Sequence, residues 1–334
     1  MWIYLKYLLF PFSIIYGFIT SLRNFLYDYN VLESKKYNVK VISIGNLVMG
    51  GSGKTPMVEY VSRYFIKKNY KFSIISRGYK RLTKGLRLIN ESDTYLTVGD
   101  EPKQLYNKFG NMSKVIVSED RHKAIKLIEK ENNDIYAILD DAFQNRSINK
   151  YLDIVLSSYK SPFFDDNIFP LGMLRENKNN IKRCDVLIFT NSPKNISLKE
   201  VDYIKNKSFS FLKKDVPILF SSVNYLKPIC LFNRKKITKD VVISTSVANS
   251  SSFNEYIESQ FNVLEKFVFP DHHIYSKKEI TKIIESLNVS ITLITTEKDA
   301  VKLCEFKDMF SDYSVYYVPI EIEFLHNREL SKYI

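Results

Sequence analysis

Glycine and cysteine are scarce in this chain, and both shortages are informative. The 334 residues include only 10 Gly, so the three that fall within residues 50–53 form a conspicuous cluster. The cysteines are odd in number and scattered, without the spacing of a metal site: Cys184, Cys230 and Cys304. This pattern argues against a disulfide framework and predicts the reduced thiols of a cytoplasmic protein.

Other familiar signals are missing too. The sequence has no internal repeat, no low-complexity linker, no zinc-ligand spacing and no Ser-His-Asp order. The excess of 49 Lys+Arg over 37 Asp+Glu gives a net charge of +12, which favours anionic partners such as nucleotides, phospholipid surfaces or nucleic acid. The alternative is that the solvated faces are simply rich in lysine. Because no basic and aromatic residues interleave, we expect no nucleic-acid partner, and no protein partner is indicated.

Residues 40–60, KVISIGNLVMGGSGKTPMVEY, predict a strand, a phosphate-binding loop and a helix. Glycines in such a loop allow positive φ and close approach of the backbone N–H groups to an anion. Lys54 is predicted to reach the β- and γ-phosphates, and the Thr55 hydroxyl suits Mg²⁺. The predicted phosphate-binding residues are Gly50, Gly51, Ser52, Gly53, Lys54 and Thr55.

One position departs from the strict P-loop pattern. That pattern requires a glycine where this chain has Val48, and Gly45 lies further upstream instead. The sequence therefore predicts a variant P-loop, with a plain glycine turn as the alternative.

Residues 2–22 are almost entirely apolar or aromatic. No small-residue cleavage site follows, which argues against a signal peptide. A spanning helix, an interfacial helix and a helix buried against the protein remain open. Polar residues at helical spacing favour the interfacial helix, with a kink at Pro11: Lys6, Ser13, Thr20, Asn24 and Asp28. Anionic headgroups would meet Arg23, Lys35, Lys36 and Lys40.

Short apolar runs alternate with helical patterns along the rest of the chain. This alternation predicts an α/β fold with a parallel sheet flanked by helices. A second series of alternating strands and helices begins near residue 217. We therefore expect a membrane-associating helix in residues 1–30, a P-loop domain in 31–216 and a smaller α/β lobe in 217–334. Residues 315–322 are predicted to be one of the strands of this last lobe.

Two pairs of carboxylates are candidate site residues. Asp140 and Asp141 end the apolar run 135–139, as in a Walker B motif, and predict a Mg²⁺ site; a capped polar turn is the alternative. Asp100 and Glu101 precede Pro102. They fit either the first turn of a helix or a base and a metal ligand for phosphoryl transfer.

Histidines and arginines supply the remaining candidates. Only four His occur, and two are adjacent in the stretch FPDHH, where His272 is predicted to handle a proton because no third metal ligand stands at a recognisable spacing. Arginines beyond strands suit bidentate phosphate contacts, with surface ion pairs as the alternative. The candidates of this kind are Arg77, Arg121 and Arg175, with Gln144 and Asn191 weaker. The stretch TEKD at 296–299 does not fit a guanine-specific motif, which weakens a GTPase interpretation.

With these motifs in order, the chain resembles the tetraacyldisaccharide 4'-kinase (lipid A 4'-kinase) family over nearly its whole length. The resemblance rests on VISIGNLVMGGSGKTP, ISRGYK, VGDEP, SEDRHKA, ILDDAFQNR, PLGMLRE, DVLIFTN, FPDHH and ITTEKDAVKL. It implies transfer of phosphate from MgATP to the 4'-hydroxyl of a tetraacylated glucosamine disaccharide 1-phosphate in lipid A biosynthesis. It also implies two α/β lobes, a membrane-associating N-terminal helix and a location at the cytoplasmic face of the bacterial inner membrane.

The resemblance also implies roles for residues at matching positions. Asp100 matches the catalytic carboxylate and His272 its partner, with Lys54 on the transferred phosphate. Glu101, Asp140 and Asp141 match metal-site carboxylates; Arg121, Gln144 and Asn191 match residues lining the reaction site, and Arg175 lies near the expected lipid headgroup. Residues 246–250 depart from the family pattern, which leaves the contacts of the last lobe open. Alternatives are a P-loop kinase of another membrane-bound or small anionic substrate, and a membrane-associated ATPase that is not a kinase.

Overall fold

The computed structural model describes residues 2–131, 135–213, 215–232 and 236–334, with side chains from residue 8 onward except that of residue 131. The α-helices are α1 (Trp2–Asp28), α2 (Lys54–Lys67), α3 (Tyr95–Val98), α4 (Asp100–Phe109), α5 (Arg121–Glu131), α6 (Leu198–Phe209), α7 (Ser251–Gln260), α8 (Lys277–Glu285) and α9 (Glu297–Leu303). Short 3₁₀ helices cover Phe163–Asp165, Lys178–Arg183, Cys304–Phe310 and Leu330–Lys332.

The strands follow the predicted apolar runs closely. They are β1 (Lys40–Asn46), β2 (Phe72–Ser76), β3 (Arg87–Leu88), β4 (Lys114–Val117), β5 (Tyr136–Asp140), β6 (Leu152–Ser158), β7 (Val186–Thr190), β8 (Ile218–Tyr225), β9 (Ile229–Cys230), β10 (Asp240–Thr245), β11 (Asn262–Val268), β12 (Ile291–Thr296), β13 (Ser314–Val318) and β14 (Ile320–Phe324). The prediction of a single strand over residues 315–322 is wrong, because two strands, β13 and β14, cover this part of the chain. Pro319 lies between β13 and β14, and proline has no N–H to continue a strand ladder.

The chain divides into two compact units. The first unit comprises Met1–Arg77, Asp120–Val223 and Ile322–Ile334, and the second comprises Gly78–Glu119 and Asn224–Glu321. This division differs from the contiguous domains predicted from the sequence, because the chain enters the second unit twice. The physical reason is the packing of α4 against α9, which joins residues 100–109 to residues 297–303.

The first unit is built on a parallel sheet with the strand order β8-β7-β6-β1-β5-β2. Apart from its first residue, β1 is buried along its whole length, as expected for a central parallel strand covered on both faces. The apolar core beside it contains Phe143, Phe163 and Phe189, all fully buried. Helix α2 packs on β1 and β5, and α5 packs on β2.

The second unit has its own sheet and core. Its own sheet has the strand order β11-β10-β12-β13-β9, parallel except for β9, and the unit also contains β3 and β4, which pair antiparallel. Val242, Leu293 and Val315 from the central strands pack with Ile280 and Ile283 of α8. The predicted α/β class, with a parallel P-loop sheet and further α/β structure, is confirmed.

Helix α1 is docked on the first unit by its polar face. Ser13 Oγ donates to the Ile168 carbonyl (2.7 Å), Tyr16 Oη donates to the Arg175 carbonyl (3.0 Å), and Asn24 Nδ2 donates to Glu176 Oε2 (2.7 Å). By length and composition, Leu8–Asp28 could cross a membrane, and only 17% of its most apolar stretch is buried. This exposure disagrees with a helix buried against the protein. The side chains of residues 2–7, including Lys6, lie outside the described residues.

Candidate functional site

The phosphate-site candidates of the first unit follow the carboxyl ends of its parallel strands. The P-loop follows β1, Arg77 follows β2, Asp141 follows β5 and Asn191 follows β7. Parallel strands end at one edge of a sheet, and open α/β sheets bind ligands at that edge. Residues far apart in the sequence are therefore brought to a common edge.

The loop before α2 has the backbone conformation of a phosphate-binding loop. Gly50 and Gly53 use the conformational freedom of glycine, with φ values of 103° and 79°, whereas Gly51 is not among the residues with positive φ. Gly53 caps α2, which begins at Lys54, so the loop leads directly into a helix N-terminus. Around the loop, Asn46 Nδ2 donates to Ser52 Oγ (2.8 Å) and Thr190 Oγ1 donates to the Ser52 carbonyl (2.9 Å).

The structure accounts for the valine in place of the usual glycine. Val48 forms an antiparallel bridge with Leu174, and hydrogen bonds run from Met49 N to Met173 O (2.8 Å) and from Arg175 N to Leu47 O (2.7 Å). The chain at this point is extended and needs no positive φ. The close approach falls at Gly45 instead, where a Cβ would lie 2.6 Å from the Phe143 nitrogen.

Asp141 lies between two cations. Its Oδ1 is 3.8 Å from Lys54 Nζ and accepts a hydrogen bond from Arg175 Nη1 at 2.8 Å. Burial opposes ionisation of this carboxyl, but Lys54 and Arg175 outweigh it and hold the pKa of Asp141 below its usual value. Its φ of 48° is uncommon for a residue other than glycine. Backbone conformations of this kind cluster at functional sites.

The donor set at this edge fits a magnesium ion. Asp140 is buried and accepts a hydrogen bond from Ser76 Oγ at 3.0 Å, Asp141 is ionised, and Thr55 stands in the first turn of α2. Within the part of the chain that the structure describes, no group of three acidic, histidine or cysteine side chains could hold a metal by itself. Mg²⁺ needs no such group, because it binds through one or two carboxylates together with substrate phosphates and water.

The other predicted polar residues differ in burial: Arg121 is buried, Gln144 is half-buried, and two more are exposed. Gln144 Nε2 donates to the Asn46 carbonyl (2.8 Å) and to Glu176 Oε1 (3.1 Å). Arg121 is buried, and its Nη2 donates to the carbonyls of Asp140 (2.7 Å) and Asp141 (2.9 Å). It therefore supports the turn after β5. The exposed members of the set are Arg77 and Asn191, the latter with a φ of 54°.

The second unit brings together Asp100 and His272, which are 172 residues apart in the sequence. Asp100 begins α4, and Nδ1 of His272 is 3.0 Å from both of its carboxylate oxygens. Asp100 is only 5% exposed, and the Tyr79 ring meets the His272 ring edge-on at 5.0 Å. The two side chains are therefore close enough for the hydrogen bond that their predicted partnership requires.

Two lysines complete this pair, and the sequence interpretation missed both. Lys298 Nζ is 3.2 Å from His272 Nε2, and Lys302 Nζ is 3.4 Å from Asp100 Oδ2. Burial opposes ionisation of Asp100, but the hydrogen bond with His272 and the charges of the two lysines lower the pKa of Asp100 well below its usual value. Burial likewise opposes the charge of Lys298, yet Glu101, Asp100 and Asp271 raise its pKa.

A signal for these lysines is present in the stretch TEKDAVKL. Lys302 lies four residues after Lys298 on α9 and falls among apolar residues that face the core. A lysine at a buried helix position is costly unless it is paired. Its presence there was therefore a sign of a carboxylate partner.

Segment 246–250, where the chain departs from the family pattern, contributes to the same cluster. Ser246 N donates to Asp299 Oδ2 (2.8 Å), Ser246 Oγ donates to the other oxygen of Asp299, and Lys302 Nζ donates to Ser246 Oγ (2.6 Å). Asp299 and Lys302 are almost completely buried. Ser246 therefore links β10 to the lysine that neutralises Asp100.

Glu101, predicted as a metal ligand, lies in this second unit. Its Oε1 accepts a hydrogen bond from Lys298 Nζ at 3.3 Å. A cleft beside Asp100 and His272 is lined by tyrosine and apolar side chains, including Tyr79, Tyr95, Leu96 and Ile274. The second unit thus offers an ionised, buried carboxylate at the wall of a small cleft that both polar and apolar side chains line.

Comparison with known proteins gives consistent results. A model of the tetraacyldisaccharide-1-P 4'-kinase family matches residues 5–334. The chain is 37% identical to the tetraacyldisaccharide 4'-kinase of Flavobacterium psychrophilum, covering 98% of this chain and 94% of that protein. It is 34% identical to the enzyme of the same name from Cytophaga hutchinsonii, covering 96% and 92%. Among solved structures, it is similar to LpxK from Aquifex aeolicus in complex with ATP, with a TM-score of 0.76, 29% identity and 98% coverage of both chains.

Proposed function

The chain belongs to the tetraacyldisaccharide-1-P 4'-kinase family, and from this premise we propose that it transfers the γ-phosphoryl group of ATP to the 4'-hydroxyl of a tetraacylated glucosamine disaccharide 1-phosphate. The reaction is a step of lipid A biosynthesis. The hydroxyl oxygen forms a bond to the γ-phosphorus, the bond to the β-phosphate oxygen breaks, and ADP leaves with that oxygen. The hydroxyl proton passes to a carboxylate oxygen of Asp100.

The first unit binds the nucleotide. The N–H groups of residues 50–53 and the α2 N-terminus hold the phosphates, and Lys54 neutralises charge on the β- and γ-phosphates. Thr55, Asp140 and Asp141 would hold Mg²⁺, and Glu101 is the further metal-site carboxylate that the family resemblance implies. When bound, the ion neutralises charge on the transferring phosphate. Arg121 and Gln144 fix the turn that carries Asp141, while Arg77, Arg175 and Asn191 are the candidates for contacts with phosphate or lipid headgroup.

The second unit supplies the base. Asp100 is ionised because His272, Lys298 and Lys302 stabilise its charge. A carboxylate with a lowered pKa is a weak base, yet phosphoryl transfer passes through a loose transition state in which the hydroxyl keeps its proton until late. Asp100 therefore orients the hydroxyl and receives its proton at the end, and His272 holds the carboxylate in place.

The buried Asp100–His272 pair is the observation that carries the proposal. A P-loop alone is shared by many nucleotide hydrolases, which activate water. An ionised carboxylate held at a cleft lined by Tyr79 and Tyr95 supplies what an acceptor hydroxyl needs. A kinase is thus favoured over an ATPase.

The N-terminal helix explains how an acylated substrate is reached. Its outward faces carry exposed Phe12, Phe18 and Phe25, and the chain that follows carries exposed Lys35 and Lys36. Apolar side chains next to lysines suit a bilayer with anionic headgroups. The proposed location is the cytoplasmic face of the inner membrane, the side on which ATP is available.

The test is an assay of the full-length protein in detergent with γ-labelled ATP. Label should pass to tetraacyldisaccharide 1-phosphate and not to water or to small anionic alcohols. Asp100→Asn should lower kcat by about 100-fold or more, the lower scale for a lost general base, while ATP binding persists. Glu91→Gln, which changes an exposed carboxylate of the same unit, should retain wild-type kcat.

The rivals predict different outcomes. An ATPase would release labelled phosphate without any lipid acceptor and would tolerate Asp100→Asn. A kinase of another substrate would label a different acceptor in the panel. Either result, obtained with protein whose ATP binding is intact, would overturn the proposal.

A further inference from the structure

We propose that Lys298 is a positioning residue that keeps the proton of the His272 ring on Nδ1, the nitrogen that faces Asp100. This inference deepens the proposed kinase function and rests on it. It concerns the direction of one hydrogen bond. That direction decides whether His272 can hold the catalytic carboxylate at all.

The contacts of Lys298 determine the direction. Its Nζ has three acceptors within reach, Glu101 Oε1 at 3.3 Å, Asp271 Oδ1 at 3.0 Å and His272 Nε2 at 3.2 Å. An ammonium group has three N–H donors and no acceptor, so the three contacts use all its donors and Nε2 must accept. A neutral imidazole that accepts at one nitrogen carries its proton on the other. The proton of His272 therefore lies on Nδ1, 3.0 Å from both oxygens of Asp100.

The opposite tautomer has a competing partner close by. Asp271 Oδ2 is 3.6 Å from His272 Nε2 and could accept a proton placed there. The Nδ1 lone pair would then face the Asp100 carboxylate, which replaces a hydrogen bond with repulsion. Lys298 prevents this by occupying both Nε2 and Asp271. The cation is thus placed where it excludes the unproductive tautomer.

The second lysine has a separate role. Lys302 Nζ reaches Asp100 Oδ2 at 3.4 Å and Asp299 Oδ1 at 3.2 Å. No hydrogen bond joins it to the His272 ring among the described residues. Both lysines therefore stabilise the charge of Asp100, and of the two it is Lys298 that also contacts the His272 ring and sets its proton. Substitutions of the two lysines should have different signatures.

Nitrogen NMR of the histidine rings tests the inference without any substrate. The chain has only four His, so protein with ¹⁵N-labelled histidine gives few signals, and the His272→Gln spectrum assigns the ring in question. We expect wild-type His272 to show a protonated Nδ1 and an unprotonated Nε2 at neutral pH. In Lys298→Met, a signal of protonated Nε2 should appear. Lys298→Arg, which keeps a donor-only cation, should restore the wild-type pattern.

Kinetics of the same variants supply the second readout. Lys298→Met should lower kcat by about 10- to 100-fold, the usual scale for loss of a partner that orients a reactive group, with KM for ATP unchanged. Lys298→Arg should recover most of kcat. The matched control is Lys108→Met, which removes an ion pair to Glu297, the neighbour of Lys298 on α9, without touching His272. It should retain wild-type kcat and the wild-type ring signals.

Three results would overturn the inference: protonated Nε2 in the wild-type protein, wild-type kcat in a folded Lys298→Met variant, or a lower kcat with the proton still on Nδ1. If Lys298→Met does not fold, the wild-type spectrum and Lys298→Arg still decide. The spectrum requires no lipid. A wrong tautomer therefore refutes this inference alone, whereas absence of lipid phosphorylation refutes the kinase proposal and leaves the tautomer standing.

Discussion

At the scale of single residues, Asp100 combines deep burial with a full charge. Burying an isolated ionised carboxyl at 5% exposure would cost much free energy, so the charged form of Asp100 depends on the three groups around it. His272, Lys298 and Lys302 provide that compensation and hold the carboxylate at one place. The same arrangement makes removal of one partner expensive, since a buried charge left alone costs about 3–5 kcal/mol.

The lowered pKa of Asp100 predicts a specific loss of stability in acid. The unfolded chain protonates this carboxyl near its ordinary pKa of about 3.9, whereas the folded protein does so only at lower pH. Between these values the unfolded state binds the additional proton. The stability that ionised Asp100 contributes is therefore complete above about pH 5 and is lost as pH falls through the lowered pKa.

Thermal unfolding between about pH 5 and pH 3 measures this contribution. The gap between the unfolding midpoints of wild type and Asp100→Asn should narrow as the pH falls, because the variant has no charge to lose at this position. Asp202→Asn, an exposed change on α6, should follow the wild-type curve. A gap of constant size would contradict the assigned role of the charge.

At the scale of elements, one side of α1 packs against the protein and the other sides are exposed. The polar side, where Ser13 and Asn24 are buried, docks on the first unit, and the remaining faces expose apolar residues. Asn24 contacts Glu176, which also accepts hydrogen bonds from Gln144 and Arg183. Through Glu176, helix α1 is thus linked to Gln144 in the turn that follows β5, in the same unit as the P-loop.

Membrane binding should depend on the exposed aromatic residues of α1. The triple change Phe12→Ser, Phe18→Ser and Phe25→Ser should release the protein from vesicles, since burying each phenylalanine contributes about 1.5 kcal/mol or more, at least about tenfold in affinity. Co-sedimentation with anionic vesicles is the measurement. The control changes equally exposed residues of α6: Leu198→Ser, Tyr203→Ser and Phe209→Ser. Equal retention of both triple variants would refute the anchor assignment.

At the scale of the whole molecule, the sequence predicted the elements and the motifs better than the grouping of its parts. Buried parallel strands and the glycine loop have strong local patterns, and both were identified close to their bounds. The assignment of residues 78–119 to the second unit depends on packing between α4 and α9, which leaves no local pattern. Lys298 and Lys302 were missed for a similar reason, because their importance comes from a carboxylate about 200 residues away.

The most direct test of the account identifies the product of the reaction. The full-length protein is incubated with ATP, Mg²⁺ and tetraacyldisaccharide 1-phosphate, and the recovered lipid is examined by ³¹P NMR with proton correlation. The account predicts a second phosphate monoester on the same lipid, coupled to the proton at carbon 4' of the distal glucosamine. A lipid that keeps only its 1-phosphate, or that gains phosphate at another carbon, would contradict it.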